Sequence, residues 1–324
     1  MDKETLRSGP FVFLPDDIKN IFNNILKYKI DPTGMFYGIT KDMIIKDIDT
    51  LTHNTVHAVE LENMDEGPMG NRLLEIFALG AGGRLTAWDQ TSNNMTPVVF
   101  RGITKTKHMR SCEERGRDYY YMDTGYFGNG EKKIYHRITK NSMQNIGPII
   151  NRPRDRLSKI EWREQRFTPG GNILLCPPSD KAMSCFGLDL NEWLDETIDT
   201  IKQYTDRPII VRTKPSRRDR VTTDTIQQAL SNDVHCLVTY NSIAATEAIL
   251  YGKPAFTLGP NAAHTMSLSD LSMIENPYYP SLDQVVDFAA HLSYCQFTEF
   301  EMRDGTAWKI LNETSDLSFS DTQE

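Results

Sequence analysis

Arg212-Thr-Lys214 closes the apolar run Pro208-Ile-Ile-Val-Arg212, which has the length of a strand. Residues alternate along a strand, so Arg212 and Lys214 project the same way. Two cations at the mouth of a parallel sheet suit a diphosphate, which Arg grips bidentately and Lys meets as a point charge. A solvated strand end would carry the same residues. A second group is Asn241-Ser242 with Glu247. Backbone N–H groups at a helix start hold phosphate. A carboxylate just over one turn further along can accept from both hydroxyls of a ribose. The plainer alternative is a capping pair and a solvent-facing glutamate. Ser179, in Pro177-Pro-Ser-Asp180, offers a small hydroxyl donor or belongs to an ordinary proline turn. His264 ends Gly259-Pro-Asn-Ala-Ala-His264, within reach of the same edge or simply on the polar surface. Asp123 lies in Tyr119-Tyr-Tyr-Met-Asp-Thr-Gly-Tyr-Phe127, with five aromatics in nine positions. An aspartate at such a strand end can serve as general base for an acceptor hydroxyl, and the aromatics can stack on a base or a sugar. The alternative is a β-rich aromatic core with Asp123 capping a turn.

The elements that position these residues are clearest from Asn172 onward. Ile173-Leu-Leu-Cys176 reads as a strand. Leu190 to Tyr204 reads as an amphipathic helix, with Leu190, Trp193, Leu194, Thr197, Ile198, Ile201 and Tyr204 at helical spacing and Asp189 or Asn191 as cap. Pro208–Arg212 is the second strand, Thr222–Leu230 a helix, and Val234–Val238 the third strand. Asn241 and Ser242 start a helix that Gly252 stops. Pro254 and Ala255–Leu258 begin a fourth strand, and a further helix follows near Ser267–Ile274. Strands alternating with helices through short loops mean a parallel α/β sheet covered on both faces.

The N-terminal half is less regular. Phe11–Leu14, Met35–Ile39, Pro97–Phe100, Tyr119–Asp123 and Ile134–Ile138 read as strands, and Gly70–Leu79 as a helix ended by Gly80-Ala-Gly-Gly83. A second α/β or mixed sheet is expected. Those glycines follow no clear strand and make a poor dinucleotide fingerprint. His53 and His57 stand four apart, but no glutamate beside His53 completes a zinc-protease motif. The charged stretch 151–168 reads as a connection between a domain at 1–168 and one at 169–311, with a polar tail from 312 to 324.

The chain has 324 residues, enough for two domains. Its 39% hydrophobic and 25% charged composition fits a globular protein. No apolar run approaches the roughly 20 residues of a membrane span, and the charged N-terminus is no secretory signal. Five scattered cysteines with no CxxC pair read as reduced thiols in the cytoplasm. The net charge is −8, yet residues 101–220 hold 24 Lys and Arg against 16 Asp and Glu, a balance of +8 that leaves −16 elsewhere. Such asymmetry points to a polyanion partner or to chance clustering on a solvated surface.

The residues of the second half resemble the C-terminal half of a GT-B-type glycosyltransferase. That resemblance implies an α/β, GT-B-like fold of two facing Rossmann-like domains with parallel sheets, the second holding the nucleotide-sugar. It matches Arg212 and Lys214 to the diphosphate grip, and Asn241, Ser242 and Glu247 to the phosphate-and-ribose helix. Gly252-Lys-Pro254 and Leu258-Gly-Pro260 are also similar to punctuation in capsule-type sugar transferases. Across roughly residues 115–310, Tyr121-Met-Asp-Thr-Gly-Tyr-Phe127, Trp193-Leu-Asp-Glu-Thr-Ile198, Thr239-Tyr-Asn-Ser242, Leu268-Ser-Asp-Leu271 and Glu301-Met-Arg-Asp-Gly-Thr-Ala-Trp308 resemble a group of tailed-phage proteins. Phages of the T-even type carry GT-B enzymes that place sugars on hydroxymethylcytosine in their DNA.

The leading expectation is therefore transfer of a sugar from a UDP-type donor to a hydroxymethylated pyrimidine in phage DNA. Asp123 would take the proton, with Ser179, Arg212, Lys214, Asn241, Ser242, Glu247 and His264 on the donor. Arg110, Arg115, Arg117, Lys132, Lys133, Arg217 and Arg218 would hold double-stranded DNA, its target base flipped out. The resemblance implies no tightly bound cofactor and no required metal, although a divalent ion could assist product release. The location would be the host cytoplasm. The rivals are the same enzyme acting on a surface or capsule glycan, and a non-enzymatic phage binding protein.

Overall fold

The computed structural model describes residues 56–59, 67–91, 93–103, 106–129, 133–160, 162–213 and 225–313. The first elements in chain order are β1 (His57–Val59), α1 (Gly67–Gly80), β2 (Arg84–Thr86), α2 (Trp88–Thr91), β3 (Val98–Arg101), α3 (Thr106–Glu114), β4 (Tyr119–Thr124) and β5 (His136–Lys140). Next come β6 (Asn172–Leu175), α4 (Asp180–Cys185), α5 (Leu190–Lys202), β7 (Ile209–Val211), α6 (Ile226–Ser231), β8 (Val234–Thr239), α7 (Ala244–Leu250) and β9 (Ala255–Thr257). The last are α8 (Leu282–Ser293), β10 (Gln296–Phe297), α9 (Glu299–Arg303) and α10 (Thr306–Asn312). The expected strands near residues 11 and 35, and the tail beyond 313, lie outside the described residues. His57 heads a strand, so its spacing from residue 53 is not a helical repeat.

Two compact units emerge. The first comprises 1–100, 114–119 and 299–324. There β1 pairs in parallel with both β2 and β3. Leu73, Leu74, Phe77 and Ala78 of α1 are buried. Phe100 packs between Trp88 (5.8 Å) and Tyr119 (6.1 Å). Burial of these rings removes a large apolar area from water.

The second unit comprises 101–113 and 120–298. It holds the antiparallel pairs β4–β5 and β5–β10, and a four-stranded parallel sheet ordered β7-β6-β8-β9. The chain is α/β with parallel sheets, as the alternation of strand and helix signals implies. Burial explains the strand sequences. Ile173 and Leu175 join Trp193, Ile201, Cys236, Val238 and Phe256 in one core. Leu174, Cys176 and Leu237 join Ala244, Ala245, Ala248, Ile249 and Phe288 in the other. Successive side chains thus serve opposite faces, which is why these strands are mostly apolar.

Local signals set the helix ends. Asp189 caps α5 by accepting from the backbone N–H of Asn191 (2.9 Å) and Glu192 (3.0 Å). Thr225 and Gln228 form a capping box on α6, so this helix starts later than position 222. Gly252 ends α7 at φ +77°, and a Cβ there would lie 2.4 Å from the Arg166 carbonyl oxygen. Glycine is required on both counts.

Two segments differ from expectation. Ser267–Ile274 is not a helix: it holds one short 3-10 turn, Leu271–Met273, and a second, His264–Met266, precedes it. Thr257 N–H donates to the Leu268 carbonyl (2.9 Å) and Leu268 N–H to that of Ala255 (3.3 Å), which draws the intervening chain out alongside β9. The strand expected from Ile134 begins at His136, because the N–H groups of Ile134 and Tyr135 donate to Asn129 Oδ1 (2.9 and 2.8 Å).

Candidate functional site

Strand β7 lies on one side of β6 and β8 on the other. The loops leaving the carboxyl ends of β6 and β8 therefore diverge, and a parallel sheet opens its ligand crevice at such a point. The two strand ends are tied together: Cys176 N–H donates to the Val238 carbonyl (2.8 Å), and Thr239 Oγ1 to that of Cys176 (2.6 Å). Arg212 follows β7 directly, with its N–H on the Leu175 carbonyl (2.8 Å). Burial pushes the Cys176 thiol up to about 12; the Arg212 charge opposes that shift and the Glu247 carboxylate adds to it.

Ser179 stands exposed at the head of α4, where its Oγ accepts from Ala182 N–H (3.4 Å) and its own proton stays available for donation. Ser242 Oγ accepts from Ala244 N–H (3.3 Å), and Ser242 N–H donates to Thr239 Oγ1 (3.3 Å). Helix α7 itself starts only at Ala244, behind Ile243. The Asn241–Ser242 loop is fixed from outside. Gln144 Nε2 donates to the Asn241 carbonyl, and Asn261 Nδ2 to the Ser242 carbonyl (2.9 Å). Gln144 Oε1 in turn accepts from Ala262 N–H (3.3 Å). Sequence reasoning passed over both residues. Nothing local marks Gln144, whereas Asn261 lay within the quoted stretch before His264. His264 is exposed, with Nδ1 3.1 Å from the Asn261 carbonyl oxygen, closing its own turn. Lys214, Arg217, Arg218 and Lys132 lie outside the described residues.

Asp123 sits in a different environment. Its carboxylate accepts from Thr124 N–H (2.7 Å), Tyr121 Oη (3.0 Å) and Arg137 Nη2 (3.2 Å). Burial alone would raise its pKa, but the Arg137 charge and the two hydrogen bonds more than offset this and hold it below the usual aspartate range. A general base works best with a pKa near the working pH, so this carboxylate is a weaker base than an ordinary aspartate. Its side chain is 34% exposed, against 8% for Arg137. Arg137 also donates to the Thr124 carbonyl (2.9 Å) and lies against the rings of Tyr121 (5.8 Å) and Tyr126 (5.7 Å). Asp123 thus neutralises a cation embedded among aromatics.

Many cations of the basic island are consumed in the same way. Arg117, expected on DNA, is 2% exposed. Its Nε donates to the Thr96 carbonyl (2.7 Å), and its guanidinium lies 5.6 Å from the Trp88 ring. A side chain so enclosed presents nothing to a duplex. Arg156 is buried and donates to the carbonyls of Ser293 and Gln296 (2.9 Å each). Arg154 pairs with Asp287 (3.1 Å). Arg110, Arg115 and Lys133 are exposed, and Arg110 donates to the Cys185 carbonyl (2.8 Å).

Beside α7 the second unit carries a cavity of about 330 Å³ open to solvent, small but within the range of ligand pockets. Glu247 lines it, with Gln227 Nε2 3.4 Å from its Oε1. Tyr126, Phe127, Trp162 and Tyr251 supply aromatic walls. All five cysteines stand as free thiols. Among the described residues, no group of three or more His, Cys, Asp or Glu could hold a metal, and no helix is long and apolar enough to cross a membrane.

No protein-family model and no curated protein matches the chain. Among solved structures it is similar to Thermosulfurimonas dismutans KpsC, beta Kdo 2,4 transferase, at 13% identity and a TM-score of 0.43, covering 74% of this chain and 90% of that one. It is also similar to Thermosulfurimonas dismutans KpsC, beta Kdo 2,7 transferase, at 12% identity and a TM-score of 0.43, covering 72% and 89%. Likenesses at this level say nothing of individual site residues.

Proposed function

We propose that the chain is a nucleotide-sugar-dependent glycosyltransferase whose donor diphosphate lies at the mouth of the β7-β6-β8-β9 sheet. One observation carries this reading: Arg212, Ser179 and the Asn241–Ser242 loop all flank the carboxyl end of β6, where the strand order reverses. Glycosyl transfer from such a donor builds negative charge on the departing diphosphate. A guanidinium and small hydroxyl donors fixed beforehand would stabilise that charge as it develops. Gln144 and Asn261 hold the Asn241–Ser242 loop in place before any ligand arrives. Glu247, drawn to the cavity wall beside Gln227, is left out of this diphosphate grip. Asp123, already engaged with Arg137, is left out of proton transfer.

The acceptor favoured here is a glycan, because Arg117, Arg137 and Arg156 are engaged inside the protein. Hydroxymethylated DNA is the second reading, supported by the +8 balance of residues 101–220 and by exposed Arg110, Arg115 and Lys133. The test incubates the protein with a panel of nucleotide-sugars, with and without hydroxymethylated DNA, and measures released nucleotide and the mass of the digested nucleosides. Nucleotide release without DNA modification is the expected result. Glycosylated nucleosides, with binding that weakens steeply in salt, would select the second reading. No binding or turnover of any donor would reject the enzyme.

A further inference from the structure

The cavity beside α7 contains none of Ser179, Arg212, Asn241 or Ser242, and its chemistry differs from theirs. Phe127 and Trp162 meet edge to face at 6.2 Å and 77°. Trp162 is tethered by its Nε1, which donates to the Leu250 carbonyl (3.1 Å), and Tyr251 adds a third aromatic surface. Among the described residues that line it, the polar side chains around these rings are the Glu247 carboxylate, the amides of Asn129, Gln165 and Gln227, and the Arg163 guanidinium. One carboxylate against one guanidinium among the described lining residues gives no excess of cations there, which suits a neutral ligand and not a phosphate.

The floor is built before any ligand binds. Buried Gln296 accepts through Oε1 from the N–H groups of Tyr126 (2.7 Å) and Phe127 (3.2 Å), while its Nε2 donates to the Phe127 carbonyl (3.0 Å). Gly128 completes the turn at φ +76°, and a Cβ there would strike Ile160 Cγ2 at 2.3 Å. The Asn129 side-chain amide is tied to the backbone of Ile134 and Tyr135. Loop backbone held this firmly loses little entropy when a ligand arrives.

We infer that this cavity is a saccharide-binding site for a neutral sugar ring. The apolar C–H face of the ring packs on Trp162 and Tyr251. Its hydroxyls donate to Glu247 and exchange hydrogen bonds with Gln165 and Gln227, groups that offer both donors and acceptors. A planar nucleobase could also enter between aromatic walls, so the test sets the two against each other. The inference goes beyond the donor site and stands whether or not the mouth of the sheet binds a diphosphate.

The experiment prints an array of neutral and acidic oligosaccharides, probes it with labelled full-length protein, and follows Trp162 fluorescence with the best neutral hit, with uridine and with UDP. Retention of a neutral oligosaccharide, a fluorescence change with it, and persistence of both under saturating UDP are expected. The double substitution Gln165→Ala/Gln227→Ala changes only exposed side chains and should weaken that binding about tenfold. Trp162→Phe should abolish the fluorescence change. An array with no neutral hit, a Trp162 response to uridine alone, loss of the saccharide under UDP, or a double variant that binds normally would each overturn the inference. UDP binding scored in the same titrations separates this outcome from failure of the donor reading.

Discussion

Two strand ends in the second unit carry similar sequence signals and do different things. At the end of β4, an aspartate follows three tyrosines; at the mouth of the parallel sheet, arginine and small polar residues follow apolar strands. The first is closed on itself. Asp123, Arg137, Tyr121 and Thr124 spend their polar groups on one another. The second is braced from behind, with Gln144 and Asn261 holding backbone carbonyls of the loop while the Ser179 hydroxyl stays exposed. A chemically suggestive residue at a strand end is therefore no guide to function until its partners are known. A buried cation next to a carboxylate lowers its basicity and gives it a structural load as counter-ion.

This contrast can be broken most forcefully at Asp123. Asp123→Asn leaves Arg137 buried without its counter-charge, which should cost about 3 kcal/mol of folding stability, read from the urea midpoint. Donor affinity of the folded fraction should stay unchanged. Loss of turnover at wild-type stability would instead restore Asp123 as a base.

The pH dependence of the wild type should show the same scaffold in two steps. Buried His291 is held down to about 4, first by burial and then by the Arg152 charge. The unfolded chain takes up this proton at a higher pH, so stability should fall by about 3 kcal/mol as pH drops from about 6.5 to 4. Asp123, with its pKa lowered in the fold, should add a second loss below about pH 4, as protonation removes the partner of Arg137. Urea midpoints across pH 3 to 7 measure both steps, and the Asp123→Asn variant should lack the second.

Bracing of the mouth predicts a smaller effect. Gln144→Ala frees the Asn241 carbonyl and the Ala262 N–H, costing about 1–2 kcal/mol and several-fold in donor affinity by calorimetry. An unchanged donor affinity would mean that the loop is held by other contacts. Smallest of all, Arg115→Ala, at an exposed position, should change stability by less than about 0.5 kcal/mol. A large loss of DNA binding in the same variant would revive the duplex as acceptor.

How much was legible in the sequence follows from the range of each interaction. Helix α5 was readable because its apolar stripe and Asp189 cap are local. So was the parallel sheet, because β6 and β8 are buried on both faces and their composition says so. The Asp123–Arg137 pair lay beyond reach, since its partners sit on different strands. Gln144 and Gln296 were still less visible: their partners lie about a hundred or more residues away and leave no local trace. The basic island was legible only as a sum, because a count of charges cannot show which guanidinium groups the fold has already used, as it has those of Arg117 and Arg156.

The central claim is that the mouth of the parallel sheet grips a diphosphate through Arg212. Calorimetric titration of UDP into the wild-type protein and into Arg212→Ala tests it most directly. The account predicts saturable binding by the wild type and a loss of about 30-fold in the variant, near 2 kcal/mol for a charge-assisted contact. Equal UDP affinity in the two proteins would contradict it.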